Sequence, residues 1–386
     1  IGSGLVGTQL LKQLAHFDTS LSKDSNVPAL AEVNRLRIEV RAICDANKMV
    51  LAEHGIPLAK ISSEDAVSDL TAMYSGLPKE DRQTTRFDAT DLDEFADFMD
   101  TKRIPHRILI DCTASEEVAA KYPEWLKRGI HVISPNKLAG AGSLKHYLRC
   151  MEAMRNSEAE WCYESTVGAQ MPVLSVIHDI LQTGDKVVRV EGILSGTMGF
   201  VFEILNKIPE AVFSCAFREA REEHLTEPDP YEDLLGKDAA RKALIIAREL
   251  GLNLELSDVE VESLVPESLL KKGADRSWEA LRAELQKSVD MGIRTKVVEA
   301  RSKGHSLRYV GEIDAEKGKI FVGLKSVPPD HPLARAREFE TVASFTTERY
   351  TQSSPLVLRG PGAGAVVTAT AVFADLLRLA RKLGGN

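Results

Sequence analysis

The sequence predicts an α/β protein built from a parallel-sheet domain followed by an α+β domain. A glycine-rich turn, GSGLVG (2–7), leads directly into a helical pattern at the start of the chain. Strand-like and helix-like segments then alternate up to about residue 150, which is typical of a parallel sheet covered by helices. Beyond residue 160 the strands become longer and alternate in polarity, with a β-hairpin predicted over 306–327.

Length and composition limit the possible functions. The 386 residues suffice for two domains with cores of their own, and 44% are hydrophobic and 27% charged. A net charge of -8 gives no reason to expect nucleic acid or an anionic membrane as a partner. The longest apolar run is interrupted by Asp375 and Arg378, so no membrane span is expected. The five cysteines are scattered without a CxxC pair, which favours a reducing cytoplasm.

The first domain is predicted over residues 1–160, completed by 360–386. After the first helix its predicted elements are, in order, a strand (38–45), helices in SSEDAVSDLTAMY and DATDLDEFADFM, a strand (107–115), a helix in EEVAAKYPEWLKRG that Pro123 kinks or splits, and a strand (131–137). A glycine turn of this kind normally follows a strand, and only Ile1 precedes it. We therefore expect a few N-terminal residues to be missing.

The second domain is predicted over residues 161–359. Its predicted elements are a strand (186–196), a helix (236–250), the hairpin, and strands in TVASFTTERY and PLVLRG. A glycine-rich loop, GPGAG, then leads into a long C-terminal helix.

The glycine turn matches the G-x-G-x-x-G pattern of dinucleotide-binding sites. Its glycines allow a tight turn and a close approach to a pyrophosphate, whose charge is favoured at a helix N-terminus. Taken alone, a turn that merely joins strand and helix is equally consistent. The β/α alternation that follows favours a Rossmann-type dinucleotide-binding domain, whose predicted cofactor contacts here are Gly2, Gly4, Leu5, Val6 and Gly7.

Other predicted cofactor contacts follow strands, because ligands bind at the carboxyl ends of parallel strands. Asp45 could accept hydrogen bonds from ribose hydroxyls and would repel a 2′-phosphate, which Lys48 could offset. A capping role for Asp45 is equally consistent, so NAD and NADP both remain open. The residues predicted at the nicotinamide end are Thr113, Ser115, Ser134, Asn136 and Lys137.

A crowded ionic stretch, TEPDPYEDLLGKDAARK (226–242), carries the predicted catalytic chemistry. Asp238 and Lys242 are four apart and share a helix face, an arrangement that is usually a solvated surface pair. The apolar continuation ALIIA, the stiff EPDP and Gly236 favour instead a site to which the loop delivers Glu227. A lysine ammonium there could donate a proton to a carbonyl oxygen as hydride reaches the carbon.

The chain resembles the homoserine dehydrogenase family, in particular its short single-function form. The resemblance covers almost the whole chain and rests on the motifs GSGLVG, ISPNK, YESTVGAQMPVL, EGILSGTMGF, LTEPDPYEDLLGKDAARK and GPGAGAVVTA. It implies NAD(P)-dependent interconversion of L-aspartate 4-semialdehyde and L-homoserine, on the route to threonine, isoleucine and methionine. Since the chain stops soon after the last helix, we expect no appended regulatory domain and no aspartate kinase portion.

The resemblance also implies roles for individual residues. Lys242 matches the acid/base lysine and Lys137 a second lysine at the nicotinamide and substrate. Residues implied to bind substrate are Glu227, Asp238, Gly196 and Thr197, and further cofactor contacts are Gly364 and Thr368. A sodium-like monovalent cation is implied near YESTVGAQM, held by the Glu164 carboxylate and by the carbonyls of Val167, Ala169 and Met171.

Three positions depart from the family pattern. Leu225 stands where an aromatic residue is common, Gln170 replaces a small residue, and Glu232 replaces an aspartate. Leu225 keeps open a related dehydrogenase of another small amino-acid aldehyde. A non-catalytic dinucleotide sensor is the alternative from another class, although retention of Lys137, Glu227, Asp238 and Lys242 argues against it. The alternating strands of 306–359 need a partner sheet, and with the family they predict a homodimer.

Overall fold

A computed structural model describes the chain except for residues 21–35, 59–68, 102–103, 228, 266, 271–276, 338–339 and 385–386. The described residues form two compact units, residues 1–170 with 364–386, and residues 171–363. The boundary between them lies ten residues later than the sequence-based division places it (170 against 160). In the part of the chain that is described, no helix is long and apolar enough to cross a bilayer.

The first unit contains short strands and helices of varied length. Its strands are β1 (Ala42–Cys44), β2 (Lys48–Ala52), β3 (Thr85–Ala89), β4 (Ile108–Ile110), β5 (His131–Ile133) and β6 (Trp161–Cys162). Its helices are α1 (Leu5–Ser20), α2 (Leu70–Gly76), α3 (Lys79–Gln83), α4 (Leu92–Met99), α5 (Glu116–Ala120), α6 (Tyr122–Lys127), α7 (Lys137–Ala141), α8 (Leu144–Asn156) and, at the C-terminus, α17 (Ala365–Lys382). Pro123 lies in the first turn of α6, and the predicted split between α5 and α6 is confirmed.

The strands of the first unit form two sheets. Strands β4, β5 and β6 make the predicted parallel sheet, whereas β1, β2 and β3 form a separate antiparallel sheet. The expected placement of strand 38–45 in a parallel sheet is therefore wrong. The cause is local: Oδ1 of Asp45 accepts the N–H groups of Asn47 and Lys48, and this tight turn reverses the chain into β2. Most of the helix expected in SSEDAVSDLTAMY lies outside the described residues.

The first two residues connect these sheets. Ile1 N donates to Ile110 O at 2.7 Å, and Cys112 N donates to Ile1 O at 2.9 Å. On the other side, Gly2 N donates to Cys44 O at 2.7 Å. The glycine turn is thereby fixed between the end of β1 and the end of β4.

The second unit is an antiparallel-rich sheet with helices. Its strands are β7 (Val187–Ile193), β8 (Val259–Val261), β9 (Ser306–Asp314), β10 (Lys319–Val327), β11 (Glu340–Thr347) and β12 (Leu356–Pro361). Their order in the sheet is β12-β11-β7-β9-β10-β8, and only the β10–β8 pair is parallel. The predicted hairpin is confirmed as β9 and β10, paired from Asp314–Lys319 to Ser306–Val327.

The helices of this unit are α9 (Val173–Gln182), α10 (Gly196–Lys207), α11 (Phe213–Glu222), α12 (Pro230–Leu234), α13 (Lys237–Glu249), α14 (Glu267–Leu270), α15 (Trp278–Glu284) and α16 (Asp290–Ser302), with a π-helical segment at Leu285–Val289 between the last two. Helix α13 packs on β9 and β10 through a buried apolar face that includes Ala243, Leu244 and Ile246. Burial of that face holds the polar start of α13 in place, because the same helix carries both.

Candidate active site

Helix α13 begins with an unusual backbone. Gly236 has φ of 67°, and a β-carbon built there would lie 2.3 Å from the Tyr309 hydroxyl and 2.8 Å from Val261 Cγ1. Glycine is required here both for the left-handed conformation and for the close packing. The chain therefore turns sharply from α12 into α13 and directs the first turns of α13 towards the loop that carries Glu227.

Lys242 is held within this helix start. Its Nζ lies 2.7 Å from Asp238 Oδ2 and donates to Leu194 O at 2.8 Å. The side chains of Lys242 and Asp238 are 12% and 9% exposed. The pair is thus not a solvated surface pair, because solvated pairs keep most of their area in water.

A second carboxylate, Asp233, lies in the same loop-and-helix region and was not identified from the sequence. It is 3% exposed, and its Oδ2 accepts Glu227 N at 2.8 Å. Burial raises the pKa of Asp233 to about 7; the charges of Glu227 and Asp238 add to the rise, and the Glu227 N–H and the Thr197 hydroxyl oppose it. The charges of two further carboxylates, Glu227 and Asp238, therefore both act on Asp233.

Thr197 and Gly196 open helix α10 beside this region. Ser195 caps the helix by accepting Met198 N, and the buried Thr197 hydroxyl donates to Leu225 O at 2.8 Å. The unusual Leu225 thus contributes its carbonyl to the link between α10 and the acidic loop. Glu232, the other departure nearby, pairs with Lys237 and Arg241 at 2.8 Å each.

In the first unit, the glycine turn has one crowded position and one open position. A β-carbon at Gly7 would lie 1.9 Å from Gly2 O, whereas a β-carbon at Gly4 would meet nothing within 4 Å. Gly2 has φ of 87° and packs against Thr113. The first N–H groups of α1, which starts at Leu5, lack intrahelical partners and can receive an anion.

The other predicted cofactor residues surround this turn to different extents. Asp45 follows Cys44, whose carbonyl binds Gly2 N, but Oδ1 of Asp45 is used as the cap of its own turn. Ser115 caps α5 by accepting Val118 N, and its own N–H binds Thr113 Oγ1. Val6 is partly buried and Leu5 is exposed.

The strand end that precedes Lys137 is tied down by buried polar groups. Ser134 is fully buried, and its hydroxyl donates to Asp111 O at 2.8 Å. Asn136 caps α7 by accepting Leu138 N, which places Lys137 in the first helical position. The sequence alone did not single out Asp111, because its burial depends on residues from three later segments.

The segment predicted to hold a cation has a distinctive backbone. Glu164 is buried and starts a 3₁₀ turn (Glu164–Thr166), and Gly168 and Ala169 follow with φ of 77° and 51°. Glu164 N donates to Asp375 Oδ2 at 3.2 Å; burial raises the pKa of Asp375 to about 6, with the Arg378 contacts opposing and the Glu164 charge adding. The buried carboxylates of Glu164 and Asp375, close to the left-handed backbone of Gly168 and Ala169 in this segment, provide oxygen ligands that suit a cation. Within the described residues, no group of three or more His, Cys, Asp and Glu forms a ligand cluster.

The remaining predicted residues lie near the boundaries of the units. The carbonyl of Met171, in the second unit, accepts Val173 N at 2.8 Å. Gly364 has φ of 115° and precedes α17, and Thr368 N donates to Gly364 O at 3.0 Å. Gly364 therefore allows the chain to turn into the last helix.

The fold and these two groups of residues define a class: a two-unit protein with a glycine turn of the dinucleotide-binding type in the first unit and a buried lysine–carboxylate group in a second unit of mixed α+β structure. The family model for the homoserine dehydrogenase NAD-binding domain matches residues 2–164, and that for homoserine dehydrogenase matches residues 172–377. The chain belongs to the homoserine dehydrogenase family.

Relatives support this assignment along the whole chain. A homoserine dehydrogenase of Schizosaccharomyces pombe is 32% identical over 98% of this chain and 94% of its own length. A bifunctional aspartokinase/homoserine dehydrogenase 2 of Zea mays, described as chloroplastic, is 40% identical over 100% of this chain. The match covers 38% of the maize protein, so the chain spans less than half the length of that relative.

Solved structures share the fold. A Candida auris protein of unknown function is 28% identical, with a TM-score of 0.81 over 99% of this chain and 97% of its own. A hyperthermophilic archaeal homoserine dehydrogenase in complex with NADPH is 20% identical, with a TM-score of 0.67 over 99% of this chain and 96% of its own. The predicted fold class is confirmed by these likenesses together with the family models.

Proposed function

We propose that the chain catalyses the NAD(P)-dependent interconversion of L-aspartate 4-semialdehyde and L-homoserine, on the route to threonine, isoleucine and methionine. Family membership supports the reaction class. The observation that carries the mechanism is the position of Lys242, whose nearly buried ammonium lies between Asp238 and Leu194 O in a group of carboxylates. A protonated amine beside several carboxylates suits a substrate that has both a carbonyl and an ammonium group.

When bound, the nicotinamide cofactor would supply hydride to the aldehyde carbon or, in the reverse direction, accept it from the alcohol carbon. Lys242 transfers the proton to or from the substrate oxygen. Its ammonium has three N–H groups, of which two point to Asp238 and Leu194 O, so the third can donate its proton to the aldehyde oxygen. In the reverse direction the neutral amine accepts the proton of the homoserine hydroxyl. Because Asp238 and Leu194 O fix the amine, its direction is set before substrate arrives.

The substrate ammonium is assigned to Glu227, as the family resemblance implies, and to Asp233, because Asp238, the other carboxylate that the resemblance gives to the substrate, is paired with Lys242. Asp233 is held by Glu227 N, and the two side chains are close enough for the Glu227 charge to raise the Asp233 pKa. Binding of a cation next to Asp233 favours its ionised form, which is the form that holds the cation. Substrate binding and ionisation of Asp233 are therefore coupled.

The direct experiment follows the reduction of NAD or NADP on addition of L-homoserine. The wild-type chain should show homoserine-dependent turnover, and Lys242→Ala should nearly abolish it while homoserine still binds. Lys237→Ala is the matched control, because Lys237 lies on the same helix but pairs with Glu232 near the surface. Absence of turnover with either cofactor would favour a dinucleotide sensor, and an unchanged Lys242→Ala rate would reject the role of Lys242.

The choice between NAD and NADP is proposed to depend on Asp45 and Lys48. The archaeal structural relative was solved with NADPH. In this chain Asp45 already caps its turn, and the Lys48 ammonium lies over the Phe87 ring at 5.6 Å. Comparing the affinities for both cofactors in wild type and Asp45→Ala measures the repulsion that Asp45 exerts on a 2′-phosphate.

A sodium-like cation is proposed at Glu164 and the carbonyls of Val167, Ala169 and Met171. The buried Glu164 carboxylate and the left-handed Gly168–Ala169 pair support it. Oxygen ligands suit a hard cation, which would stabilise the backbone conformation of residues 164–171. Replacing sodium with a bulky organic cation should lower activity in wild type and have little effect in Glu164→Gln; equal responses would reject the site.

A homodimer built on residues 306–359 and a cytoplasmic location complete the proposal. Strand β12 is an edge of the six-stranded sheet, and Val357 on it is 38% exposed. Sedimentation would distinguish a dimer from a monomer.

All five cysteines are free, which fits the reducing compartment expected of a cytoplasmic protein. The chloroplastic maize relative makes a plastid the alternative that localisation should test.

A further inference from the structure

A fully buried carboxylate, Asp111, lies directly after β4 in the first unit. Its Oδ1 accepts Thr113 N at 2.8 Å, and its Oδ2 lies 2.6 Å from the Tyr122 hydroxyl and 2.9 Å from Asn136 Nδ2. These donors come from three different segments. A carboxylate without exposure is costly unless its oxygens are satisfied, and here each oxygen has at least one donor.

The same network fixes the start of helix α7. Asn136 Nδ2 also donates to Ser115 O at 2.9 Å, while Asn136 Oδ1 accepts Leu138 N at 3.0 Å. Ser134 Oγ accepts Asn136 N at 2.8 Å and donates to Asp111 O at 2.8 Å. The turn 113–115 and the first turn of α7 are therefore joined through Asn136 and Asp111.

Tyr122 connects the two ends of this hydrogen-bond network through its hydroxyl group. It is fully buried on α6, its hydroxyl reaches both Asp111 and Ser134, and its ring packs near Trp125 and Trp161. Burial raises the pKa of Tyr122 well above its ordinary value, and the Asp111 charge adds to the rise, so the phenol keeps its proton and remains a donor. Its rigid ring fixes where the Asp111 carboxylate can lie.

The arrangement does more than the fold alone requires. Buried polar groups can often be replaced by apolar residues of similar volume without loss of stability. Helix α7 has only five residues, Lys137–Ala141, so its own hydrogen bonds fix its direction weakly. The network gives Lys137 a defined position relative to the turn 113–115, because its hydrogen bonds join this turn to Asn136, the residue before Lys137.

We propose that Asp111, supported by Tyr122, is a positioning residue that sets the place of Lys137 and of the turn 113–115 at the nicotinamide end of the cofactor site. This inference rests on the proposed function for the meaning of that end. Asp111 and Tyr122 act through Asn136, Ser134 and Thr113, and neither contacts substrate. Misplacement of a reacting group by about 1 Å can cost about 10²-fold in rate, so a network that fixes the position of Lys137 should raise kcat.

The test compares Asp111→Asn and Tyr122→Phe with a matched pair in the second unit. Asp185 is also buried after a helix end, and its Oδ2 accepts the Thr347 hydroxyl at 2.6 Å, the same distance as in the Asp111–Tyr122 pair. Asp185→Asn and Thr347→Val thus remove comparable bonds away from the proposed site. All variants are assayed in the full chain, well below their unfolding midpoints.

The positioning role predicts a fall in kcat of about 10- to 100-fold for Asp111→Asn and about 3- to 10-fold for Tyr122→Phe, with the KM for L-homoserine changed less than about threefold. The control pair should change kcat less than about twofold, even where it lowers the unfolding midpoint equally. The double variant should lose less activity than the product of the two single losses, because Tyr122 and Asp111 belong to one network that also includes Ser134. Loss of activity that merely follows loss of stability in both pairs would overturn the proposal.

Hydrogen exchange separates this inference from the proposed reaction. In Asp111→Asn, the amides of 113–115 and 137–141 should exchange at least about tenfold faster than in wild type, and the NADPH affinity should fall. If the wild-type chain shows no homoserine-dependent turnover, the reaction is wrong, while faster exchange and weaker NADPH binding would still support positioning. Unchanged exchange at both segments would reject the positioning role whatever the activity.

Discussion

Lys242 and Asp238 lie one turn apart on helix α13, with Nζ and Oδ2 separated by 2.7 Å. Removing both groups from water costs free energy that a surface pair does not pay. A second contact, from Lys242 Nζ to Leu194 O, joins the pair to the end of β7. The pair therefore orients an amine with respect to the sheet, and removing its carboxylate should affect chemistry more than fold.

Asp238→Asn is expected to lower kcat/KM for L-homoserine about 10²-fold, equivalent to about 2.7 kcal/mol of transition-state stabilisation. The amide keeps the size of the side chain but no longer provides the charge that holds the Lys242 ammonium. Steady-state kinetics measure the effect. Glu232→Gln is the control, since Glu232 pairs with Lys237 and Arg241 on the same helix, and it should change kcat/KM less than about threefold. Equal effects of the two substitutions would contradict the assignment.

The KM for L-homoserine is expected to fall as the pH rises through about 7. Burial raises the pKa of Asp233 to about 7, so below that pH the group is largely protonated and cannot hold an ammonium by charge. Below pH 7 the KM should rise by up to about tenfold per pH unit. Steady-state KM values between about pH 6 and pH 8 measure this dependence.

Asp233→Asn provides the control for this pH dependence. The variant should have a high KM that is nearly constant over the same range, because the titrating carboxyl is absent. The KM for the cofactor should show no matching change in either protein. A wild-type KM that is flat through pH 7 would contradict the role of Asp233.

Part of this site could be predicted from the sequence. The spacing of Asp238 and Lys242 predicts a shared helix face, and Gly236 predicts an unusual turn before it; the structure has both. The role of Asp233 could not be predicted, because its pKa depends first on burial, which the local sequence does not show, and also on Thr197, which the tertiary fold brings near. Asp111 was missed for the same reason, since its partners come from later segments.

The fold shows the same limit. Hairpin β9–β10 follows from alternating polarity, a local signal. Helix α16 was not predicted, because its buried stripe is narrow: Ile293, Val297 and Ala300 are its buried residues, and half of the others are charged. The antiparallel pairing of β1 also escaped prediction, since the cap made by Asp45 decides it and the sequence allowed two roles for that residue.

Gly7→Ala and Gly4→Ala are expected to act differently although both lie in the glycine turn. A β-carbon at Gly7 would lie 1.9 Å from Gly2 O, so the turn must shift, and the free energy of unfolding should fall by about 1–3 kcal/mol. A β-carbon at Gly4 meets nothing within 4 Å, so stability should change by no more than about 0.5 kcal/mol. Gly4→Ala should nevertheless weaken NADPH binding, because the glycine lets the backbone approach the pyrophosphate.

Urea unfolding and fluorescence titration with NADPH measure these two effects. The expected pattern is a destabilised Gly7→Ala and a stable, weakly binding Gly4→Ala. Normal NADPH affinity in Gly4→Ala would contradict a pyrophosphate at this turn. Equal stability losses in the two variants would contradict the close approach of Gly7 to Gly2.

Glu191 on β7 is expected to stabilise the second unit through charge. Burial alone would raise its pKa, but hydrogen bonds with His331 and Lys325, and the positive charge of Lys325, outweigh burial and hold the pKa at about 2. Lys325 Nζ lies 2.6 Å from Glu191 Oε1. A folded-state pKa below the ordinary value of 4.5 contributes stability that is present above pH 4.5 and is lost as the pH falls towards 2.

Glu191→Gln should therefore lower the free energy of unfolding by about 2–3 kcal/mol at pH 7. The difference between wild type and variant should shrink to less than about half by pH 3, because the unfolded chain has by then bound its proton while the folded chain has begun to. Glu299→Gln, which removes an exposed partner of Lys303, should leave the free energy of unfolding nearly unchanged at every pH. Denaturant unfolding at several pH values measures both, and a Glu191→Gln loss that stays constant from pH 7 to pH 3 would show that packing, not charge, is the cause.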